Sequence, residues 1–368
     1  MTVSLSTSFN LSALSAYLSN QGITANNASP NDVSKALIIK SLSGGQSNPT
    51  FYIEAGKQKM VLRKKPAGHL LPSAHAIDRE YRVMAALAKH GVSVPQMLSY
   101  CEDESIVGTP FFLMSFLDGR VLTEQALPGM TTTERSAIYS EMNRVIASIH
   151  AVDYQAADLE SFGKPGNYFA RQITRWSRQC NESNLPISPA LQRLIAWLPE
   201  HIPPGDETTL VHGDFRMDNL IFHPTKPEVI GVIDWELSTL GHPLADFAYQ
   251  CMAWHIPPTL WRGIGGLDLT ALGIPTEAQY VAQYAANTGR NSAEHWDFYL
   301  AYNFFRIAAI LHGIAQRVVD GNASGEDAIA NAQRSEPLAE LGWQCALRYS
   351  ASRQCGWTIF ILINLAFQ

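Results

Sequence analysis

The chain of 368 residues contains little charge, few cysteines and no long basic run. Charged residues make up 16% of it, the formal net charge is −6, and its longest run of basic residues is Arg63-Lys64-Lys65. Nucleic-acid-binding proteins usually carry clustered basic side chains, so we expect no nucleic-acid partner. The hydrophobic fraction of 46% is that of an ordinary globular protein.

The five cysteines are odd in number and scattered, and no two of them have C-x-x-C spacing. This pattern does not indicate a disulfide framework or a zinc site, and it favours reduced thiols in the cytoplasm. The apolar tail from Trp357 to Phe367 has eleven residues. A transmembrane helix needs about 20, so no membrane span is expected. The sequence does not indicate an oligomeric state.

Apolar periodicity predicts a strand-rich first third and a helical remainder. Five strands are predicted, at Ala36–Leu42, Phe51–Glu54, Met60–Lys64, Gln96–Cys101 and Phe111–Phe116. One helix is predicted before them over 7–20, and another is inserted among them over 74–89. After a crossing at 117–120, the capping box Thr131-x-x-Glu134 predicts the start of a helix. Further helices are predicted over 168–181, 188–198, 244–254, 276–287, 294–319 and 326–347.

The most informative segment is residues 210–219, in which His212, Asp214 and Asn219 form an H-x-D-x-x-x-x-N pattern. Asp234 follows at the end of the next apolar run. Phosphoryl transfer from ATP to a hydroxyl needs a carboxylate that orients the hydroxyl and accepts its proton, and oxygen ligands for Mg²⁺. The spacing therefore predicts Asp214 as the catalytic residue and Asn219 and Asp234 as the Mg²⁺ ligands.

Three neighbouring residues have more than one interpretation. We expect His212 to fix the loop through its ring nitrogens. The alternative, a metal hydrolase, would need further histidine ligands, and no H-x-x-x-H pattern exists among the histidines that follow it. Glu236 could bind the metal directly, bind it through water, or only support the loop. We expect Asp246 to accept hydrogen bonds from the catalytic-loop backbone rather than to contact the substrate.

A glycine-containing segment between the first two predicted strands is a candidate for binding phosphates. Glycine lets backbone N–H groups approach a phosphate closely, because no Cβ intrudes. An ordinary hairpin loop is the alternative. The candidate residues are Gly44, Gly45, Gln46, Ser47 and Asn48.

The third and fifth predicted strands supply the remaining nucleotide-binding candidates. Arg63 is expected to contact the ATP phosphates and to pair with Glu80 on the inserted helix. Lys64 or Lys65 would take this role if the predicted strand register is wrong. Backbone groups at the end of the fifth strand are expected to meet the edge of the adenine, at Met114, Ser115 and Phe116.

These features predict an α+β, protein-kinase-like fold with two lobes. The N-terminal lobe has a five-stranded antiparallel sheet with one inserted helix, and the C-terminal lobe is mainly helical. We predict an N-terminal helical extension over 1–29 and an ATP-binding lobe over 30–117. The catalytic and substrate lobe is predicted over 118–350, and an apolar tail without assigned role over 351–368.

The chain resembles the aminoglycoside phosphotransferase superfamily of small-molecule kinases. The segments that carry the likeness are 112–119, 211–219, 233–236 and 243–246. Two further segments, 61–66 and 305–322, are similar to the phosphotransferase domains linked to acyl-CoA dehydrogenases. This resemblance implies that ATP and Mg²⁺ serve to phosphorylate a hydroxyl of a small molecule, such as a hydroxyacyl-CoA or a hydroxy acid. Arg63 stands where the broader superfamily has a lysine.

Several alternatives remain beside this interpretation. The fold also serves aminoglycoside, choline and sugar kinases. A non-catalytic pseudokinase that binds nucleotide would be expected to lack Asp214, Asn219 or Asp234, and all three are present. The segment from Glu236 to Pro243 is too short for the activation segment of a protein kinase. Arg306 and Arg317, on the helix predicted over 294–319, could attract an anionic substrate group or form salt bridges.

Overall fold

The structure is a computed structural model that describes residues 9–23, 37–42, 48–66, 76–291, 294–321 and 326–366. The side chains of residues 326, 327 and 354–366 are not part of this description. The chain divides into two units, and each is discontinuous in sequence. Unit 1 comprises Met1–Val121, Tyr154–Phe162 and Asn219–Ser238, and unit 2 comprises Leu122–Asp153, Gly163–Asp218 and Thr239–Gln368.

The elements up to Val121 are mainly strands, and those after it are mainly helices. The first group is α1 Leu11–Asn20, β1 Leu37–Ser41, β2 Thr50–Ala55, β3 Gln58–Lys64, α2 Ile77–Leu87, β4 Met97–Cys101, α3 Glu104–Val107, β5 Phe111–Ser115 and β6 Arg120–Val121. The second group is α4 Thr132–His150, α5 Tyr168–Asn181, α6 Pro189–Trp197, β7 Thr209–Val211, β8 Leu220–Phe222, β9 Val229–Val232, β10 Thr239–Gly241, α7 Pro243–Cys251, α8 Leu269–Leu272, α9 Glu277–Thr288, α10 Trp296–Val319, α11 Glu326–Gln333 and α12 Ser335–Ala366.

Unit 1 contains the predicted five-stranded antiparallel sheet, with strand order β1-β2-β3-β5-β4. The β2–β3 hairpin turns at Gly56, whose φ of +61° is one that glycine adopts without strain. One sheet face packs against α1, and Leu14 and Leu18 of that helix are fully buried there. Leu11, which the helical pattern placed on the same side, is 45% exposed. The apolar alternation of the strands produces this face.

A small second sheet of unit 1 has the strand order β6-β8-β9. Leu220 pairs with Val232 in the β8–β9 hairpin, and the Ile233 N–H donates to the Asn219 carbonyl at 3.0 Å. Gly231 lies against Leu117, so closely that an added Cβ would lie 2.2 Å from a Leu117 methyl carbon. A larger residue at position 231 would therefore displace the Leu117 side chain, which packs on the hairpin.

Unit 2 is mainly helical, and α10 is its central helix. The predicted capping box is confirmed, because Thr131 and Glu134 exchange hydrogen bonds at the start of α4. The length and composition of α10 would also suit a membrane span, but 78% of its most apolar window is buried inside the protein. This burial is typical of a core helix. The two short strands β7 and β10 pair antiparallel and place the residues that follow β7 beside the start of α7.

The fold class is confirmed, and a few element predictions are wrong. The helix predicted over 326–347 is two helices, α11 and α12, which meet at Arg334. Pro337 cannot continue a helix from the preceding turn, because it has no N–H, but it fits the first turn of α12. Helices α3 and α8, each of four residues, were not predicted. The proposed domain boundaries stay a prediction.

Candidate active site

The catalytic-loop segment of unit 2 leaves β7 at Val211 and turns at Gly213, whose φ is +83°. Asp246, in the first turn of α7, accepts hydrogen bonds from the backbone N–H groups of His212 at 2.7 Å and Gly213 at 2.8 Å. These two bonds fix the backbone immediately before Asp214. The expectation that Asp246 supports the loop backbone agrees with this geometry.

Asp246 is itself held in a buried polar network. His150 Nε2 lies 3.2 Å from Asp246 Oδ2, and His150 Nδ1 lies 2.7 Å from the Tyr284 hydroxyl. Burial alone would raise the pKa of Asp246, but the hydrogen bond from His150 and the charges of His150 and His212 hold it below its ordinary value. Asp246 therefore remains an ionised acceptor for the loop.

The carboxylate of Asp214 has a partner for each oxygen. The Tyr249 hydroxyl donates to Oδ1 at 2.6 Å, and Arg216 Nε donates to Oδ2 at 3.1 Å. Burial and the adjacent Asp214 carboxylate raise the pKa of Tyr249 well above its ordinary value, so the phenol is a donor at neutral pH. The Asp214 N–H donates to His212 Nδ1 at 3.2 Å, which agrees with a structural role for that imidazole.

Arg306 of α10 supports the same loop from the interior of unit 2. It is 8% exposed, and its Nη2 donates to the Gly213 carbonyl at 2.8 Å. Its guanidinium also lies over the Tyr249 ring, 5.3 Å from the centroid. Arg306 is thus committed to the loop that carries Asp214, whereas Arg317 is exposed near the end of the helix.

The proposed metal ligands lie in unit 1, at one end of the β8–β9 hairpin. Asn219 immediately precedes β8 and is 5% exposed, and Asp234 lies two residues after the end of β9. Because Leu220 pairs with Val232, Asn219 and Asp234 leave the hairpin at the same end. Asp234 has a φ of +66°, a left-handed backbone conformation that is uncommon outside glycine but that aspartate adopts more readily than most residues.

Arg63 connects the sheet to this hairpin. Its Nε donates to Glu80 Oε2 at 2.9 Å, and its Nη2 donates to Asp234 Oδ1 at 3.0 Å. Glu236 Oε2 lies 3.8 Å from the same Nη2. The predicted Arg63–Glu80 pair is therefore present. Lys64 points the other way, with its Nζ bonded to the Val107 carbonyl, so it does not replace Arg63 here.

Glu80 is an unusual residue for the buried side of a helix, since only 2% of it is exposed. Burial raises its pKa to about 7, an effect that the Arg63 guanidinium opposes and the carboxylates of Asp234 and Glu236 reinforce. Arg63 is the shared cation of these acids, and their charges raise its pKa against the effect of burial. The guanidinium is therefore permanently charged beside the hairpin end.

The predicted phosphate-binding segment is only partly described by the structure. Gly44, Gly45, Gln46 and Ser47 lie outside the described residues, whereas Asn48 is described and almost fully buried.

At the end of β5, the Ser115 N–H donates to the Gln96 carbonyl and the Phe116 N–H donates to the Lys59 carbonyl. Met114 is paired on both sides within the sheet. An adenine edge at this position would therefore meet carbonyl groups or later residues, not these two donors.

The sequence did not single out Tyr249 or Arg216, which are the two described partners of the Asp214 carboxylate. Tyr249 lies 35 positions further along the chain, and only the packing of α7 brings it to Asp214. The sequence could have indicated Tyr249, because it lies three residues after Asp246 and therefore on the same side of the predicted helix. Arg216 lies inside the motif, two residues after Asp214. The functional roles of all the predicted site residues remain predictions.

Comparison with known proteins agrees with this geometry. A family model described as the phosphotransferase enzyme family matches residues 38–301. The chain is 51% identical over 306 residues to acyl-CoA dehydrogenase family member 10 of Mus musculus, covering 83% of this chain and 29% of that protein. The chain thus spans less than a third of that relative's length.

Two solved structures are also similar. A Ralstonia eutropha protein, provisionally named an aminoglycoside phosphotransferase, is 51% identical, with a TM-score of 0.83 over 92% of this chain and 99% of that one. A thermostable mutant of the aminoglycoside phosphotransferase APH(4)-Ia, in a ternary complex with ADP and hygromycin B, is 18% identical. Its TM-score is 0.54 over 84% of this chain and 97% of that chain, so this likeness concerns the fold alone.

Proposed function

Because the chain belongs to the phosphotransferase enzyme family, which acts on hydroxyl groups of small molecules, we propose that it uses ATP and Mg²⁺ as a small-molecule kinase. The observation that carries this proposal is the placement of Asp214. Its carboxylate is anchored by Tyr249 and Arg216, and its backbone is fixed through Asp246. A carboxylate held in one orientation is suited to position an acceptor hydroxyl.

In the proposed reaction, Asp214 accepts a hydrogen bond from the acceptor hydroxyl and aims the oxygen lone pair at the γ-phosphorus. The new oxygen–phosphorus bond forms as the bond between that phosphorus and the β–γ bridging oxygen breaks, and ADP leaves. The hydroxyl proton passes to Asp214. Arg216 and Tyr249 keep the carboxylate from rotating during this transfer, since each holds one of its oxygens.

Asn219 and Asp234 fit a magnesium ion by their chemistry and placement. Both offer oxygen donors, which Mg²⁺ prefers, and both leave the same end of one hairpin. Arg63 holds Asp234 through Oδ1, so Oδ2 can face a metal. When bound, the ion would neutralise charge on the phosphates.

Arg63 is proposed to grip the nucleotide phosphates. A guanidinium has five N–H groups, and the bonds to Glu80, Asp234 and Thr50 use three of them. Among the described residues, one N–H on each terminal nitrogen makes no hydrogen bond, although Glu236 Oε2 lies 3.8 Å from Nη2. The planar fork of arginine matches phosphate oxygens. An arginine can therefore take the place of the lysine that the broader superfamily has at this strand position.

The acceptor class that we propose is a hydroxyacyl-CoA or a hydroxy acid. Support comes from the 51% identical relative, whose name refers to acyl-CoA dehydrogenases. The aminoglycoside phosphotransferase bound to hygromycin B is only 18% identical, so its substrate is weak guidance for this chain. Aminoglycosides, choline and sugars are therefore the second set of acceptors to test.

The test is a phosphoryl-transfer screen with labelled ATP and Mg²⁺ against hydroxyacyl-CoAs, hydroxy acids, amino alcohols, sugars and aminoglycosides. We expect label transfer by the wild type and loss of turnover in Asp214→Asn, which keeps the shape but not the charge of the side chain. Glu228→Gln is the matched control, because it removes an exposed carboxylate in the β8–β9 turn. Undiminished transfer by Asp214→Asn would contradict the mechanism. A purified chain that binds ATP but labels no acceptor would favour a pseudokinase.

A further inference from the structure

Helix α5 presents three arginines on one face, outside the proposed catalytic groups. Arg171, Arg175 and Arg178 follow each other at intervals of four and three residues, which aligns them along the helix. Arg178 lies 3.8 Å from Glu182, and both of these side chains are largely exposed. Within the described part of the chain, Arg171 and Arg175 have no carboxylate at ion-pair distance. This face is therefore a concentration of positive charge on a chain whose net charge is negative.

The arginine face borders two adjacent cavities. The first has a volume of about 400 Å³ and is lined by all three arginines together with Ala170 and Thr174. The second, of about 450 Å³, shares Thr174 and Arg178 and continues toward α6. Both are open surface depressions, and the first is lined by residues of α5 alone. Asn181 and Glu182 also line the second, so the basic character is concentrated at the first.

Buried hydrogen-bond donors without partners mark the same helix. Arg171 Nη1, Trp176 Nε1 and Ser177 Oγ are each buried, and the described residues provide no hydrogen-bond partner for any of them. Arg171 uses only its Nη2, which donates to the Lys164 carbonyl at 2.6 Å. Buried donors are normally satisfied by protein groups, ordered water or a ligand, so these three atoms identify a part of α5 where an added acceptor would be favourable. Arg171 lines the first cavity, and Ser177 lines the second.

We propose that this face of α5 is a binding site for the phosphate groups of a small molecule. A phosphate group presents several acceptor oxygens and negative charge, which matches the guanidinium groups that line the first depression. Arg171 and Arg178 are seven residues apart, or about 10 Å along the helix axis. The site is thus long enough for more than one phosphate. Its occupant is either a phosphate-bearing arm of the acceptor or a separate phosphate compound.

Electrostatics relate the site to the catalytic loop within unit 2. Burial raises the pKa of Tyr168, and the guanidinium groups of Arg306 and Arg171 oppose this rise. Arg306 is the residue that donates to the Gly213 carbonyl, one position before Asp214. The Tyr168 hydroxyl is therefore within electrostatic reach of both Arg171 and Arg306.

The experiment measures binding of inorganic pyrophosphate to the full chain by calorimetry, in buffer without Mg²⁺. The variant is Arg171→Gln with Arg175→Gln, and the control is Arg144→Gln with Arg193→Gln, which removes two arginines from other helices of unit 2. We expect binding to weaken about tenfold or more in the α5 variant and to stay within about twofold in the control. If the double variant does not fold, as judged by its thermal midpoint, the exposed Arg175→Gln alone should give a smaller loss.

Two results would overturn the proposal. The first is that the wild type does not bind pyrophosphate. The second is that the α5 variant and the control bind it equally well, as they would if the nucleotide-binding groups of unit 1 held it.

A second experiment, which rests on the proposed function, measures the KM of the acceptor and identifies the source of the phosphate. If the α5 variant raises KM for a hydroxyacyl-CoA but not for the free hydroxy acid, the acceptor supplies the phosphates. If neither KM changes while pyrophosphate binding is lost, a separate compound does. Neither outcome of this experiment alters the binding result, so the site can stand even if no acceptor is found.

Discussion

At the scale of single residues, the most consequential contacts are those that orient Asp214. Tyr249 and Arg216 each take one carboxylate oxygen, and Arg306 holds the preceding carbonyl. Tyr249 and Arg306 reach the loop from distant parts of the chain, whereas Arg216 lies only two residues after Asp214, and together they hold the carboxylate in one orientation. Such preorganisation should matter more for the rate of phosphoryl transfer than for substrate affinity.

The Tyr249 hydroxyl can be tested by Tyr249→Phe. The change removes a hydrogen bond to a charged group and keeps the ring over which Arg306 lies. We expect kcat to fall about tenfold to a hundredfold with little change in the acceptor KM. Tyr139→Phe is the control, since it removes a buried hydroxyl bonded to the Gln125 carbonyl, away from Asp214. Equal losses in both variants would mean that Tyr249 matters only for folding.

Arg306 and Arg317 should now behave differently from each other. Arg306 is buried and bonded to the catalytic loop, so Arg306→Ala should lower kcat by about tenfold or more and leave the acceptor KM nearly unchanged. Arg317 is exposed, and Arg317→Ala should leave both constants as they are. Steady-state kinetics on the two variants provides the comparison. A rise in KM with an unchanged kcat in Arg306→Ala would instead restore the interpretation of Arg306 as a substrate-binding cation.

At the scale of elements, the sequence predicted the five-stranded sheet because its strands are short apolar runs separated by turn residues. The capping box at Thr131 was predictable for a similar reason, because it depends only on residues three positions apart in the sequence. The break between α11 and α12 was missed, because a continuous helical pattern runs through Arg334 and proline is tolerated in a first turn. The pairing of Arg63 with Glu80 was predicted from the kinase pattern of a basic strand residue and an acid on the following helix, and the structure has this bond. Tyr249 was missed, because its contact depends on how α7 packs.

The Arg63–Glu80 pair joins β3 to α2, and its structural and nucleotide-binding roles can be separated. Arg63→Met leaves a buried carboxylate without its cation and should destabilise the protein by about 3 to 5 kcal/mol. Arg63→Met combined with Glu80→Leu replaces the pair with apolar side chains and should regain most of that stability. We expect the double variant still to bind an ATP analogue weakly. Urea denaturation and calorimetry measure the two properties, and wild-type nucleotide affinity in the double variant would argue against phosphate contact by Arg63.

The start of α7 should respond to acid through His242. Its Nδ1 caps the helix by accepting the Leu244 N–H, and burial lowers its pKa to about 4. The folded state therefore binds fewer protons at this group than the unfolded state, where the pKa is about 6.5. The stabilisation is complete above about pH 6.5 and is lost as pH falls toward 4, by at most about 3 kcal/mol.

The matched variant is His242→Asn, which can still cap the helix but does not titrate in this range. Free energies of unfolding from urea denaturation should be compared at several pH values between 4 and 7. The difference between wild type and His242→Asn should shrink as the pH falls. A difference that stays constant would show that protonation of His242 does not contribute.

At the scale of the whole molecule, each unit is assembled from separate stretches of sequence. Unit 1 includes Asn219–Ser238, although the helical pattern around this segment placed it within the C-terminal lobe in the sequence-based prediction. Local sequence patterns do not reveal that this segment belongs to unit 1, because its assignment depends on which strand the β8–β9 hairpin pairs with. The proposed metal ligands thus belong to the unit that carries Arg63, and Asp214 belongs to the other unit.

This discontinuity predicts that a fragment of residues 1–121 will fold poorly by itself. The fragment keeps β1–β5 and α1, but β6 loses its partner β8, Leu117 loses its packing on Gly231, and the Ser93 carbonyl loses the Val232 N–H. Arg63 also loses one of its acids, Asp234. We expect a broad thermal transition in the fragment, well below that of the full chain, by circular dichroism. A sharp transition near the full-chain midpoint would instead support a domain boundary at 117–118, because β1–β5 would then be stable without the hairpin that carries Asn219 and Asp234.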